Sequence, residues 1–283
     1  MQNKLVTTQL DRERAIGAKI GDPIIDTFQD RAEQLFIPKR YKYGDWLMEH
    51  TERGQGINQY TASQVTKWSN PETLNTIVLY MLDDEVPADM IAALQLYCEA
   101  FFEGMKIKIL QPGDEFTPGK RLPKDFYASN KIKHRDDDTE SEDRQAYTMD
   151  ILSKLLKYKD SNTYCILGVT MTDLYPGINW NYCFGWANFN RGSGVFSFKR
   201  YEPDYDGNTH SYEDYIRLAC HTMAHEICHM FNLVHCIHYE CLMNGYNSLQ
   251  EQIQRKNNTL CPVCIKKLKA NIKFDTEKRF QKL

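Results

Sequence analysis

The stretch from His225 to Cys264, HEICHMFNLVHCIHYECLMNGYNSLQEQIQRKNNTLCPVC, limits the possible folds more than any other part of the chain. It opens with H-E-x-x-H: His225, Glu226 and His229. Residues four apart on a helix share one face and are separated by about 6 Å along its axis, so two imidazoles can reach one metal ion. Glu226 is rotated by about 100° from His225, beside such an ion and outside its ligand set. From there it can take a proton from a water that zinc has made acidic.

His235 follows His229 by six residues. On a straight helix it would lie about 9 Å further along and well round the axis. To join the other two imidazoles, the chain must leave the helix between them. Asn232 is placed for that turn, because Asn is second only to Gly in accepting the left-handed conformation at a helix end. Directly after His235 comes a second pattern, C-x4-C-x19-C-x2-C, formed by Cys236, Cys241, Cys261 and Cys264. Four thiolates suit tetrahedral zinc with no open position, the structural kind of site. Such a site would pin the loop that carries His235, since Cys236 is its neighbour.

These residues resemble the archaemetzincin pattern, H-E-x-x-H-x-x-G-x-x-H-C-x4-C-x-M-x17-C-x-x-C. His225, Glu226, His229, His235, Cys236, Cys241, Met243, Cys261 and Cys264 all fall at its spacing, and Asn232 stands at the position of its glycine. The resemblance implies an α/β (α+β) fold of the metzincin-like zincin type. Such a fold has a mixed, mainly parallel twisted sheet, an active-site helix and a C-terminal subdomain holding zinc through four cysteines. It implies two zinc ions, one catalytic and one structural, with Met243 in the hydrophobic Met-turn beneath the catalytic one. Metzincins bind an extended substrate antiparallel to an edge strand just before the active helix, and the resemblance points to Gly194 to Phe198 for that strand. The expected activity is peptidase action with Glu226 as general base on peptide or protein substrates.

Composition agrees with a globular chain. Apolar residues make up 42% and charged residues 26% of the 283 positions, ordinary proportions for a folded domain. A formal net charge of −3 argues against nucleic acid as a partner, since such binders carry an obvious basic region. No apolar run reaches the length needed to span a membrane. The opening residues, MQNKLVTTQLDRERAIGAKIG, carry no apolar core of a signal peptide, so a cytoplasmic or nuclear location is expected. In that setting nine cysteines point to metal rather than disulfides. Cys98, Cys165, Cys183, Cys220 and Cys228 sit in apolar or helical contexts and are expected as buried, inert thiols.

Read in order, residues 1–72 form an N-terminal extension, with a helix near Asp26 to Leu35, packed on a catalytic domain at 73–283. The four-cysteine segment occupies 236–264. Thr76 to Leu82 reads as a strand, Pro87 to Gly104 as a helix with an apolar 3.6 period, and Lys106 to Leu110 as a second strand, giving a βαβ unit. Gln111 to Asp143 reads as a long loop whose acidic end, Asp136 to Asp143, is solvated. Ala146 to Lys159 is expected as a helix and Cys165 to Met171 as a buried strand. Tyr182 to Phe189 and Val195 to Phe198 read as two strands joined across Arg191 to Gly194. The active helix starts near Ser211 or Glu213, with Ile216, Cys220, Met223, Ile227 and Phe231 on an apolar stripe and the histidines opposite. His221 and His238 are expected to stay off the metals. The basic tail after Cys264, with seven basic residues from Lys266 to Lys282, reads as a solvated helix face.

Two readings of function stand beside the peptidase. One is a catalytically weak or inactive zinc module acting through protein partners, suggested by Asn232 and by the finger-like cysteines. The other, a DNA-binding finger, is disfavoured by the charge and by the lack of a recognition helix. Endopeptidase and aminopeptidase action are both compatible with the sequence. For an aminopeptidase, Asp204, Asp206 and Glu213 are the acidic residues close enough in sequence to hold a free amine.

Overall fold

A computed structural model of the chain describes residues 4–63, 73–136, 144–203, 205–255 and 258–283. Cα proximity divides the chain into two units, residues 69–230 and residues 1–68 together with 231–283.

The 69–230 unit is built on a five-stranded sheet. Its strands are β1 (Thr76–Met81), β2 (Lys106–Leu110), β3 (Thr163–Thr170), β4 (Gly185–Asn188) and β5 (Ser193–Ser197). Their order across the sheet is β4-β5-β3-β1-β2. All neighbours run parallel except β4, which is antiparallel to β5 and forms one edge. Every residue of β1, β3 and β5 is buried, as expected where both faces of a parallel sheet are covered. The mixed, mainly parallel sheet expected from the family resemblance is therefore present.

Helix α1 (Ala88–Phe101) makes the crossover from β1 to β2. It buries Met90, Leu94, Cys98 and Phe101, the helical spacing seen in the sequence. Helix α2 (Thr148–Leu155) buries Ile151, Leu152 and Leu155. They form a core with Val78, Tyr80, Leu82, Ile166 and Val195 of the sheet. Two expectations change in this region. The helix read from Ala146 begins later, because Arg144–Tyr147 is a strand paired with His134–Asp136 and Leu174–Tyr175. The segment read as a loop from Gln111 holds a hairpin, Glu115–Thr117 with Lys120–Arg121, and a short helix, Phe126–Asn130. Asp125 caps that helix through Ala128 N at 2.9 Å, and Phe126, Leu122 and Ile132 enter the same core. These elements are too short for a period to show. Residues 137–143 of the acidic stretch lie outside the described residues.

Helix α3 (Tyr212–Met230) packs on α1, β4 and β5. Ser211 Oγ accepts from Asp214 N at 3.1 Å at its start, and Glu213 and Asp214 complement the helix dipole in the first turn. The sequence suggests one apolar stripe and one open face. Instead every residue from Leu218 to Met230 is buried. One buried polar position on it is satisfied internally: Thr222 Oγ1 bonds Tyr201 Oη at 2.8 Å.

In the other unit, helix α4 (Pro262–Ile272) packs against the helices Gln9–Ile16, Pro23–Asp30 and Ile57–Ala62. Residues 37–39 pair with 238–240: Lys39 N donates to His238 O at 3.0 Å and Glu240 N to Ile37 O at 2.8 Å. The helix read near Asp26 to Leu35 appears as two, Pro23–Asp30 and Ala32–Leu35. The basic tail is a solvated face only in part: Lys273, Lys278 and Lys282 are exposed. Lys266, Lys267 and Arg279 are buried. Lys266 Nζ donates to Ile16 O at 3.2 Å, to Ala18 O at 2.8 Å and to Gln29 Oε1. A cation saturated by neutral oxygens keeps its hydrogen bonds when it leaves water, and here it ties α4 to the N-terminal segment. Among the described residues no helix is long and apolar enough to cross a membrane.

Candidate metal centres

The last three turns of α3 carry His221, His225, Glu226 and His229. The His225 and His229 rings lie 4.5 Å apart at 88°, and Phe189 packs on His229 at 4.9 Å. His221 stacks on the far side of His225 at 6.2 Å and 19°. Glu226 is buried, and burial pushes its carboxyl up to about 8. Its Oε2 is buried with no hydrogen-bond partner. A buried carboxylate oxygen left unpartnered is costly and marks a place where something else belongs.

The edge strand explains why Glu226 can lie where it does. A Cβ at Gly185 would stand 2.6 Å from Glu226 Oε1 and 2.8 Å from its Cδ and Cγ. The absent side chain lets the β4 backbone pass directly over the carboxylate. This also corrects the expected substrate strand. Gly194 to Phe198 lies largely in β5, one position inside the sheet, and Gly194 packs on Leu167 of β3 and on Met230. The antiparallel edge is Gly185–Asn188. The two strands form one hairpin and sequence pattern alone does not rank them, because edge position depends on which strand β3 pairs with.

Beyond α3 the chain turns as the sequence required. Asn232 has φ +65°, the left-handed conformation of a helix C-terminus. Tyr60 Oη donates to Phe231 O at 2.7 Å and itself accepts from Asn271 Nδ2 at 3.1 Å, satisfying a helix-end carbonyl. Over the continuous stretch 225–235, His225, His229 and His235 each present a ring nitrogen within 4.8 Å of the other two. His235 Nδ1 is bonded to Glu52 Oε1 at 2.7 Å.

Cys236, Cys241, Cys261 and Cys264 form a second group, their sulfurs within 4.8 Å of one another and all buried. Cys236 Sγ and Cys261 Sγ are 3.6 Å apart. Hydrogen bonds from Cys241, Cys261 and Cys264 hold the Cys236 thiol well below its usual range. Asn244 braces the loop beneath them: its Nδ2 donates to Cys236 O at 2.7 Å and Tyr239 O at 3.0 Å, and its Oδ1 accepts from Cys241 N at 3.0 Å. Cys261 is the N-cap of α4 and Cys264 lies in its first turn, where the positive end of the helix dipole favours thiolate. Four sulfurs this close repel one another once ionised, so the donor set fits a soft divalent cation that neutralises them. The three imidazoles with an orphaned carboxylate beside them fit an open zinc site in the same way.

Neither His221 nor His238 joins either group. The five remaining cysteines are free thiols, buried except for half-buried Cys183. Burial pushes Cys165 and Cys220 up to about 12, which makes them inert. Glu213 is exposed in the first turn of α3. Asp204 lies outside the described residues, as does the side chain of Asp206. Sequence reasoning missed Gly185 and Glu52. Neither lies in a motif, and both act through partners distant in sequence.

Residues 120–270 match the family model described as peptidase family M54. Archaemetzincin-2 of Mus musculus is 32% identical over 288 residues, covering 91% of this chain and 76% of that protein. Archaemetzincin-2 of Homo sapiens is 31% identical over 282 residues, covering 89% and 74%. Among solved structures, an archaemetzincin from Methanopyrus kandleri shares the fold with a TM-score of 0.51 at 23% identity, over 71% of this chain and 96% of that one.

Proposed function

As the chain belongs to peptidase family M54, the archaemetzincins, and is a zinc metallopeptidase, we propose that it hydrolyses peptide bonds with Glu226 as the general base. In this reading His225, His229 and His235 hold the catalytic zinc, and Cys236, Cys241, Cys261 and Cys264 hold a second, structural zinc. The observation that carries the proposal is the buried Glu226 carboxylate, with its orphaned Oε2, on the turn of α3 between two imidazoles of the three-histidine group.

Bound zinc supplies a Lewis acid that polarises the scissile carbonyl and acidifies water. The rest falls to the chain itself. Glu226 receives a proton from the attacking water at its carboxylate and delivers it to the leaving amine. Gly185 keeps the space over that carboxylate clear. The antiparallel edge of β4 offers its unpaired backbone groups to an extended substrate, which would add as a further strand. Met243, fully buried, has its carbonyl bonded by Cys236 N at 2.7 Å, so the proposed Met-turn is fastened to the cysteine group.

Asn232 adopts the positive φ that a glycine would otherwise provide there. Asn bears that conformation at less cost than other residues with a side chain. The departure from the family pattern therefore gives little ground for a non-catalytic module.

The test is turnover of an unstructured peptide library by the zinc-loaded chain. Cleavage should be abolished by a hydroxamate and by a chelator. A chain that holds both metals and cleaves nothing would count for the non-catalytic zinc module instead.

A further inference from the structure

Glu52 lies in the N-terminal segment, outside the residues matched by the family model and 183 positions from the histidine it touches. Its Oε1 takes two hydrogen bonds, from His235 Nδ1 at 2.7 Å and from Trp46 Nε1 at 2.9 Å. Trp46 packs edge-on to the His235 ring, with centroids 5.3 Å apart at 86°, and stacks on His50 at 3.7 Å. The indole is seated tightly: a Cβ at Gly245 would lie 2.6 Å from Trp46 Cδ1 and Nε1. Trp46 N also donates to Glu251 Oε2 at 3.2 Å. The carboxylate is thus held by an indole that is itself fixed, and the imidazole is gripped by both.

An imidazole offers a metal one nitrogen, and the hydrogen bond at the other nitrogen sets which tautomer is present and how the ring is aimed. A carboxylate at Nδ1 fixes the proton there, leaves the Nε2 lone pair for the metal and raises the basicity of the ring. His235 needs such help more than His225 and His229. Those two ride on a 19-residue helix, whereas His235 follows the left-handed turn at Asn232 in irregular chain.

We propose that Glu52, seated by Trp46, is the positioning residue for His235, so that the N-terminal segment holds this ligand in place. The proposal rests on His235 being a zinc ligand. It gives residues 1–68 a part in catalysis: they supply the carboxylate that a loop-borne ligand requires.

The test measures zinc affinity of the three-histidine site by competition with a chromophoric chelator. It uses the full chain and the variants Glu52→Ala, Glu52→Gln and His235→Ala, with thermal unfolding as a check on folding. Loss of an outer carboxylate typically costs about 10–100-fold in metal affinity. Glu52→Ala should weaken that one zinc by about this factor while the four-cysteine zinc stays bound. Glu52→Gln keeps an acceptor for Nδ1–H without the charge, so it should fall between Ala and the parent. In the Co2+-loaded protein, the d–d bands of the histidine site should shift in both variants while the thiolate charge-transfer bands do not. If both Glu52 variants bind zinc as the parent does while His235→Ala loses it, the positioning role is overturned and the metal site stands. If His235→Ala also binds as the parent does, the ligand assignment beneath the proposal fails with it. Should Glu52→Ala not fold, Glu52→Gln decides between these results by itself.

Discussion

Glu226→Gln is expected to abolish most peptidase turnover while leaving zinc content and thermal stability at parental values. A positioned general base contributes typically about 10²–10⁴-fold, and a loss of that size in kcat is the expected result. The substitution is close to isosteric, so the packing of α3 on β4 survives. Stability should not suffer either. The parent buries a carboxylate with one oxygen unpartnered, and an amide in its place removes a charge that burial disfavours. A smaller fall should follow Gly185→Ala. The new methyl would sit 2.6 Å from Glu226 Oε1, and the carboxylate must move to admit it. A displaced base lowers kcat more than it raises KM, since the edge strand still offers its backbone to the substrate. Glu226→Gln cleaving at the parent's rate, with both zincs in place, would show that another group moves the proton.

Cys261→Ser should have the largest effect on stability. It removes one of four sulfurs from a closed buried group and places an oxygen at the N-cap of α4. Structural zinc in small modules contributes on the order of 10 kcal/mol to folding, comparable to the whole stability of a typical domain. The site also joins the loop at Cys236 and Cys241 to the start of α4. The loop at Cys236 and Cys241 is braced through Asn244, and Cys261 N reaches Cys241 Sγ at 3.3 Å. The expected outcome is loss of one zinc and a large drop in the unfolding temperature, with activity lost as well because His235 adjoins the loosened loop. Cys98→Ala serves as a control. Cys98 is fully buried in α1 and belongs to neither metal group, so its replacement costs only packing. Equal destabilisation by the two substitutions would mean that the four sulfurs act as ordinary core thiols.

The sequence made the candidate metal ligands legible because metal chemistry needs fixed spacing. Two imidazoles four apart can meet only on a helix, and the helix is there at Tyr212–Met230. A third can meet them only past a helix break, and Asn232 breaks it. Buried parallel strands were legible as continuous apolar runs, as at Thr163–Thr170. What escaped notice depends on pairing between distant segments. Which strand forms the sheet edge follows from β5 pairing with β3, a choice that β4 and β5 do not encode locally. Gly185 matters only because the strand crosses Glu226, and Glu52 only because its segment reaches His235. Polar side chains with one distant partner leave no periodic trace. Lys266 is the clearest case: a lysine among lysines reads as surface, and only Ile16 O, Ala18 O and Gln29 Oε1 make it a buried anchor.

We propose that this chain holds two zinc ions on two separate donor sets. Anomalous scattering from crystals of the zinc-loaded protein, with data on either side of the zinc absorption edge, locates the ions. Two peaks are expected, one bounded by the imidazoles of His225, His229 and His235 and one at the centre of the sulfurs of Cys236, Cys241, Cys261 and Cys264. A single peak at the cysteines, with the three imidazoles turned away from one another, would contradict the proposal.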